Sequence, residues 1–391
     1  MANVIATSRR LTLPLKCGWH RLRVVVFSWR DVRNPRAGGA ERFTFEHMRR
    51  WVAAGNSVAL FTSRYAGSAS EDEIDGVKIV RGGNEYTVHL AARHWYCRQR
   101  QRPDLVVDEI HGVPFCLSAY AGVPVLAWIY EVARDIWFRM YPYPVAATGW
   151  SLEAALLRWY VRGHLTFLTD SRSTAADLVG LGLPEEKITT IEPGITCIPV
   201  AQLPEKEGEP TIIFVGRLVR MKGIEDAIVA LAMVRRRLGR GQLWVVGTGQ
   251  NGYSAELRHH AVHNGVAAAV HFLGRLDEGD KFERLRRAHI LVHPSQREGW
   301  GINVIEANAM GTPAVGYNVP GLRDSILHER TGVLCPPRQP AALSDAICSL
   351  LGAPQRYRAM QDSGLRWSSR FTWDSSARKS LALMQGLAGS L

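Results

Sequence analysis

Lysine is scarce in this sequence of 391 residues: seven of its 48 basic residues are Lys and the rest are Arg. A lysine inside a motif therefore stands out, and Lys222 is one such residue. Paired cysteines are also missing. The six cysteines (17, 97, 116, 197, 335 and 348) form no C-x-x-C pair, which argues against a zinc knuckle or a disulfide framework and fits a reducing cytoplasm. Long apolar runs are absent too. The longest, 114–130, is broken by Gly122 and Pro124 and falls short of the roughly 20 residues a spanning helix needs. Near the N-terminus, Arg9 and Arg10 precede only a short apolar run, 11–15, interrupted by Pro14, too little for a signal-peptide core. The expected location is the cytoplasm, with peripheral association at the inner face of a membrane left open. No Asp-x-Asp occurs, so that metal signature is missing.

What is present in excess is positive charge, a formal +12. It is spread evenly: residues 1–194 carry 24 Lys+Arg against 19 Asp+Glu, and residues 195–391 carry 24 against 17. A shared excess favours anionic ligands without marking a nucleic-acid stripe, so no nucleic-acid partner is expected.

Nearly continuous apolar runs recur along the first half, at 21–29, 56–63, 77–82, 104–110, 123–130, 165–171 and 188–194, with helical patterns between several of them. Strands of this kind are buried on both faces, as in a parallel sheet flanked by helices. A polar stretch rich in Pro and Glu, 199–210, reads as a linker. The alternation restarts at 211–218, 242–249, 270–276, 289–295, 312–318 and 332–337, with an amphipathic stripe of Ile224, Ala227, Ile228, Leu231 and Val234 after the first of these. The pattern predicts two doubly wound α/β domains, residues 1–195 and 196–370, with ligands between their facing strand ends. A last helix is expected after Thr372, within 371–391.

The most informative stretch is HPSQREGWGINVIEANAMGTP, 293–313. A strand ends, a glycine-broken loop holds Glu298, and a helix begins near Ile302. Loop and helix rise place Glu298 and Glu306 roughly 10 Å apart, the scale of a sugar and a ribose on either side of a diphosphate. Between them the amides of Gly299, Trp300, Gly301, Ile302 and Asn303 precede or open a helix, where unpaired N–H groups favour anions. Upstream, VGRLVRMKG (215–223) puts Arg217 just past a strand and Lys222 before another helix. Two cations at the same sheet edge suit a diphosphate leaving group. The plainer alternatives are a solvated loop glutamate, a first-turn helix acid and two surface cations.

These two motifs together resemble the retaining glycosyltransferases of family 4, also called group 1, which have the GT-B fold of two facing Rossmann-like domains around a cleft. The resemblance spans about residues 22–385 and implies a catalytic role for Glu298 at the donor sugar. It further implies amides 299–303 on sugar hydroxyls and phosphate, Glu306 on the ribose, and Arg217 and Lys222 on the diphosphate. It places the base near Leu276 in LGRLDEGDK (273–281) and Gly38 and Gly39 of NPRAGGAERF (34–43) near donor phosphates or acceptor. The final helix should cross back onto the first domain. One departure stands out: where many relatives carry a histidine facing the transferred sugar, this chain has Tyr130, followed by Glu131, on the acceptor side. His111, at the end of the preceding strand, is the other first-domain candidate.

The implied activity is transfer of a hexose-type sugar from a UDP- or GDP-sugar to a hydroxyl acceptor, retaining and metal-independent, with no cofactor and no bound metal. A saccharide, a lipid-linked saccharide and a natural product are all candidate acceptors. The aromatics of 132–150 either stack on a sugar, meet a lipid carrier or pack two helices together. Three rivals remain. GTGQNG (247–252) satisfies the dinucleotide pattern of an NAD-dependent oxidoreductase but lacks the acidic residue expected some 20 positions on. His259 and His263 lie one helical turn apart, as in a metal site, with no third ligand evident. A non-catalytic nucleotide-sugar-binding partner on the same fold is the third.

Overall fold

The computed structural model describes residues 21–389 except Tyr141, His164, Gln250 and Asn251. The N-terminal run 11–15, Cys17 and the centre of GTGQNG therefore lie outside the described residues.

The first sheet has strands β1 (Arg23–Phe27), β2 (Ser57–Thr62), β3 (Glu71–Ile74), β4 (Val77–Arg81), β5 (Leu105–Ile110), β6 (Val125–Ile129), β7 (Thr166–Thr169) and β8 (Ile188–Thr190), ordered β3-β4-β2-β1-β5-β6-β7-β8. All pairs are parallel except β3–β4. The antiparallel edge strand β3 was not expected. Its sequence, EDEI, has no apolar run, and a charged edge strand needs none because its outer side faces water. The second sheet has β9 (Thr211–Val215), β10 (Gln242–Val246), β11 (Val270–Gly274), β12 (Ile290–His293), β13 (Ala314–Tyr317) and β14 (Gly332–Cys335), ordered β11-β10-β9-β12-β13-β14 and parallel throughout. Both sheets reverse their strand order beside their first strand, between β1 and β5 and between β9 and β12. Such reversals open crevices at the carboxyl strand ends, where ligands bind.

Six helices bear on the cleft or on the way the domains are tied: α1 (Gly39–Ala53), α2 (Tyr143–Arg162), α3 (Ile224–Leu238), α4 (Glu278–Arg287), α5 (Ile302–Ala309) and α6 (Trp373–Ala388). The α3 stripe read from the sequence is buried at each of its five positions. The stretch 199–210 connects the sheets but is not a free tether. Lys206 Nζ donates to Arg286 O (2.9 Å) and Thr312 Oγ1 (2.8 Å), and Glu207 pairs with Arg287 at 2.7 Å.

Thr372 caps α6 by accepting from Ser375 N, and the helix lies along α1 of the first domain. Trp373, Leu381 and Met384 join the first-domain core. His47 of α1 is held between Ser380 Oγ and Ser376 Oγ, each at 2.8 Å.

The glycines of GTGQNG have a packing role. A Cβ at Gly247, whose φ is 140°, would lie 1.8 Å from Gly216 O, so the side-chain-free position lets this turn pass the end of β9. Among the described residues no group of three or more His, Cys, Asp or Glu is placed to hold a metal, His259 and His263 included. No helix among them is long and apolar enough to cross a membrane.

Candidate active site in the cleft

On the second-domain side, the turn 220–222 after β9 must pack on the loop after β12. Gly223 allows it: with φ 66° a side chain would be strained there, and a Cβ would meet Pro294 O at 2.2 Å. Gln296 N then donates to Met221 O (2.9 Å), and Lys222 Nζ reaches Glu298 Oε1. Burial alone would raise the Glu298 carboxyl, but the Lys222 ammonium against it holds it below the usual range. Glu298 is thus an ionised, oriented acceptor.

Helix α5 begins at Ile302 with Gly301 as its N-cap and no capping side chain, so its first amides lack a side-chain partner. The Asn303 side chain accounts for its own position: Nδ2 donates to Val215 O (2.6 Å), and Oδ1 meets His293 Nε2 at 3.0 Å, pinning α5 to the ends of β9 and β12. Trp300 is 5% exposed and its ring sits edge-on to Phe371, so what it offers the cleft is backbone. Leu276 packs partly buried on the second-domain core, and Ile302 touches both domain cores.

Glu306 is buried and both its oxygens accept from Lys281 Nζ at 2.8 Å. This pairing was missed from sequence. Lys281 ends the quoted LGRLDEGDK motif, but nothing in the spacing links position 281 to 306; only the packing of α4 beside α5 brings them together.

The first domain meets this surface closely. A Cβ at Gly38 would lie 3.6 Å from Arg217 Nε, one at Gly39 would lie 3.9 Å from Ile302 Cδ1, and one at Gly299 would lie 2.9 Å from Asp170 Oδ2. Arg217 is exposed and makes no ion pair with any described residue. Glu41 Oε2 accepts from Gly38 N at 2.7 Å, fixing the glycine loop at the start of α1. Ion pairs Arg297–Asp177 and Arg42–Glu278, and Ser173 N donating to Asp324 Oδ2 (2.9 Å), join the domains.

Tyr130 does not face the cleft with its hydroxyl. That group bonds Thr44 Oγ1 and donates to Ala40 O (3.2 Å) under α1, and the residue is 6% exposed. The aromatic ring is drawn inward by Phe43 and Trp128, against which it packs. His111 lies between Trp29 (5.1 Å, stacked) and Tyr130 (5.7 Å), with Nε2 3.1 Å from Glu109 Oε1. Burial lowers its pKa, but the Glu109 carboxylate outweighs that and leaves it raised.

Beside it, burial and the charge of Glu298 raise the Glu131 carboxyl. Burial and then Glu131 raise Asp170 well above the carboxylate range, favouring its protonated form. Glu131 Oε2 and Asp170 Oδ1 are buried without hydrogen-bond partners. Asp170, just past the end of β7, has no role in the sequence reading; the signal was its position just past a strand.

Two facing Rossmann-like domains with cations, helix-start amides and carboxylates converging on the cleft define a GT-B glycosyltransferase. The comparisons specify the family. Residues 200–367 match the profile for glycosyl transferases group 1, and residues 37–197 match that for glycosyltransferase family 4. The glycogen synthase of Mycobacterium tuberculosis is 30% identical over 91% of this chain and 92% of its own length. A GDP-mannose-dependent alpha-(1-6)-phosphatidylinositol monomannoside mannosyltransferase of the same organism is 30% identical over 90% and 96%. Among solved structures, sucrose-phosphate synthase from Thermosynechococcus elongatus aligns with a TM-score of 0.78 at 22% identity, over 95% of this chain and all of that one. Anabaena Alr3699/HepE in complex with UDP-glucose aligns at 0.72 and 15% identity, over 94% and 100%. The chain belongs to the group 1, family 4 glycosyltransferases, enzymes that take sugar from nucleotide donors.

Proposed function

We propose that the cleft transfers a hexose-type sugar from a UDP- or GDP-sugar to a hydroxyl acceptor, with retention and without a resident metal or cofactor. The observation that carries this reading is Arg217: a guanidinium at the end of β9, with no ion-pair partner among the described residues, set against the glycine loop of the opposite domain. With Lys222 and the opening amides of α5 it supplies the positive field a departing diphosphate requires.

In this reading the bond from the anomeric carbon to the β-phosphate oxygen breaks and its electron pair goes to that oxygen. The acceptor hydroxyl forms the new bond on the same face, and its proton passes to a donor phosphate oxygen. Glu298, fixed by Lys222, holds hydroxyls of the transferred sugar, and Glu306 releases Lys281 in part to receive the ribose. His111, Glu131 and the Gly38–Gly39 loop form the acceptor side, where Tyr130 acts through packing. The two mycobacterial relatives extend a glucan and a lipid-linked mannoside by their names, so a saccharide or lipid-linked saccharide is the favoured acceptor class over a natural product.

Peripheral membrane association is part of this proposal, on a specific observation. Helix α2 turns Val145, Leu152 and Trp159, spaced by seven, to solvent (53%, 44% and 41% exposed). Exposed Arg158 and Arg162 stand at its C-terminal end, and its one acid, Glu153, is buried under Ala133 and Arg134 amides.

Titration with UDP, GDP and NADH, followed by transfer assays with UDP-glucose and GDP-mannose over a saccharide and lipid-linked acceptor panel, tests the reading. Binding of NADH in preference to both diphosphates overturns it. Diphosphate binding with neither hydrolysis nor transfer from any donor favours the non-catalytic partner instead. Replacing Arg217 or Lys222 by Ala should lower kcat by roughly 10²–10³, the scale of one lost oxyanion donor, and chelator should leave it unchanged.

A further inference from the structure

The first domain carries a second cation facing the same place. Arg30 follows β1, and its guanidinium lies 3.8 Å over the Trp29 ring. Trp29 in turn stacks on His111 at 5.1 Å and 20°. The guanidinium is therefore held on a column of rings that ends on His111. Yet it has almost nothing to bond. Its one hydrogen bond is from Nη1 to Arg36 O at 3.4 Å, its Nε is buried without a partner, and no described carboxylate pairs with it.

Its neighbours make the position costly. Burial lowers its pKa first; Glu41 offsets part of this, while the charges of Arg36 and Arg217 add to it. Glu41 is already engaged at Gly38 N, and Arg36 pairs with Glu85 at 2.6 Å. Arg30 and Arg217 thus bear on one another from opposite domains beside the glycine loop, and the carboxylate near them, Glu41, is already engaged at Gly38 N and forms no ion pair with either. Like charges held together in partly buried surroundings are stable when an anionic ligand joins them.

We propose that Arg30 binds the donor diphosphate and, with Arg217, grips the departing phosphate from both domains. The inference rests on the nucleotide-sugar reading above. It assigns to the first domain a catalytic residue that contacts the leaving group, and it ties charge stabilisation to closure, since each domain supplies one of the two guanidinium groups. The glycine loop supplies backbone; Arg30 adds a full charge that the negative β-phosphate oxygen meets as the glycosidic bond breaks.

Arg30→Gln and Arg30→Lys, compared with the full wild-type chain, test this. Affinities for UDP and GDP are measured beside those for UMP and GMP, and donor hydrolysis without acceptor beside transfer. The expected result for Arg30→Gln is diphosphate affinity about tenfold weaker with monophosphate affinity within about twofold, and both hydrolysis and transfer lowered by about 10–100-fold, the scale of a hydrogen bond to a charged group. Arg30→Lys should recover part of each loss. Unchanged affinity and hydrolysis in Arg30→Gln overturns the proposal. So does intact hydrolysis with a raised acceptor KM, which would assign the cation to an acidic acceptor. Equal loss of mono- and diphosphate binding with a lower melting temperature, unrecovered by Lys, assigns Arg30 to folding and also overturns it. A wild-type chain that binds neither diphosphate removes the donor reading itself, whereas wild-type binding with an indifferent Arg30→Gln removes only this inference.

Discussion

At the scale of residues, the cleft is organised by charge pairs whose members come from different motifs. Lys222 holds Glu298, and Lys281 holds Glu306 through both oxygens. Removing one member of such a buried pair leaves the other uncompensated. Glu306→Ala should therefore do two things: weaken UDP or GDP binding by about tenfold, the worth of a hydrogen bond to a charged group, and lower thermal stability because Lys281 loses its anion. Glu306→Gln should keep more of the stability and still lose affinity. Calorimetric titration and thermal melts check both, and wild-type affinity in both variants would remove Glu306 from the ribose. Arg217, Lys222, Glu298 and Glu306 were legible because strand ends and helix starts fix where their backbones emerge. Lys281 was not, because its partner is set by the packing of two helices rather than by spacing. Tyr130 misled for a related reason: its position at the end of β6 points to the cleft, but Phe43 and Trp128 draw its ring beneath α1.

At the scale of elements, strands announced themselves where burial is two-sided. Each apolar run read from the sequence became a strand of one sheet or the other, while β3, charged and at an edge, carried no such signal. Loops were less legible, since their contacts come from the other domain. Gly299 shows this. A methyl there would stand 2.9 Å from Asp170 Oδ2 and 3.2 Å from Tyr130 O, both across the cleft. Gly299→Ala should hold the domains apart, lowering kcat by about tenfold or more for a misplacement of this size, while UDP and GDP affinity should fall by no more than the roughly tenfold assigned to Arg30. Kinetics beside UDP and GDP titration check it; an unchanged kcat would mean the loop yields freely. The exposed stripe on α2 belongs to the same scale. Trp159→Glu should reduce cosedimentation with vesicles containing anionic phospholipid and leave binding to neutral vesicles low, because it removes apolar contact and adds repulsion. Equal sedimentation of variant and wild type with anionic vesicles would assign the stripe elsewhere.

At the scale of the whole molecule, the chain closes on itself through α6, and the seal depends on a neutral histidine. His47 is fully enclosed; burial, and to a lesser degree the Arg50 charge, push its pKa down to about 3. Both its ring nitrogens are used, on Ser376 and Ser380 of α6, and Arg50 beside it pairs with Glu46 and Asp374. The sign follows from which state takes the proton. Unfolded, His47 binds one near pH 6.5; folded, it refuses until about pH 3. Its contribution to stability is therefore complete above about pH 6.5 and falls by roughly 1.4 kcal/mol for each pH unit below that until the folded value is reached. Urea melts from pH 7.5 to 4.5 should show wild type losing stability more steeply than His47→Gln, which starts less stable but lacks this titration; the carboxylates act in both and cancel in the difference. Because His47 seals α6 in particular, hydrogen exchange in 373–388 should rise before that of the first-domain strands as pH falls. Parallel pH slopes, or exchange that rises everywhere together, would show that the proton is taken up elsewhere. The sequence pattern predicted a helix after Thr372 and left its partner open, and the reason is now physical. Its docking face sets Ser376 and Ser380 around the buried His47 imidazole among the apolar Trp373, Ala377, Leu381 and Met384; that apolar stripe marks a buried face but carries no information on which domain covers it.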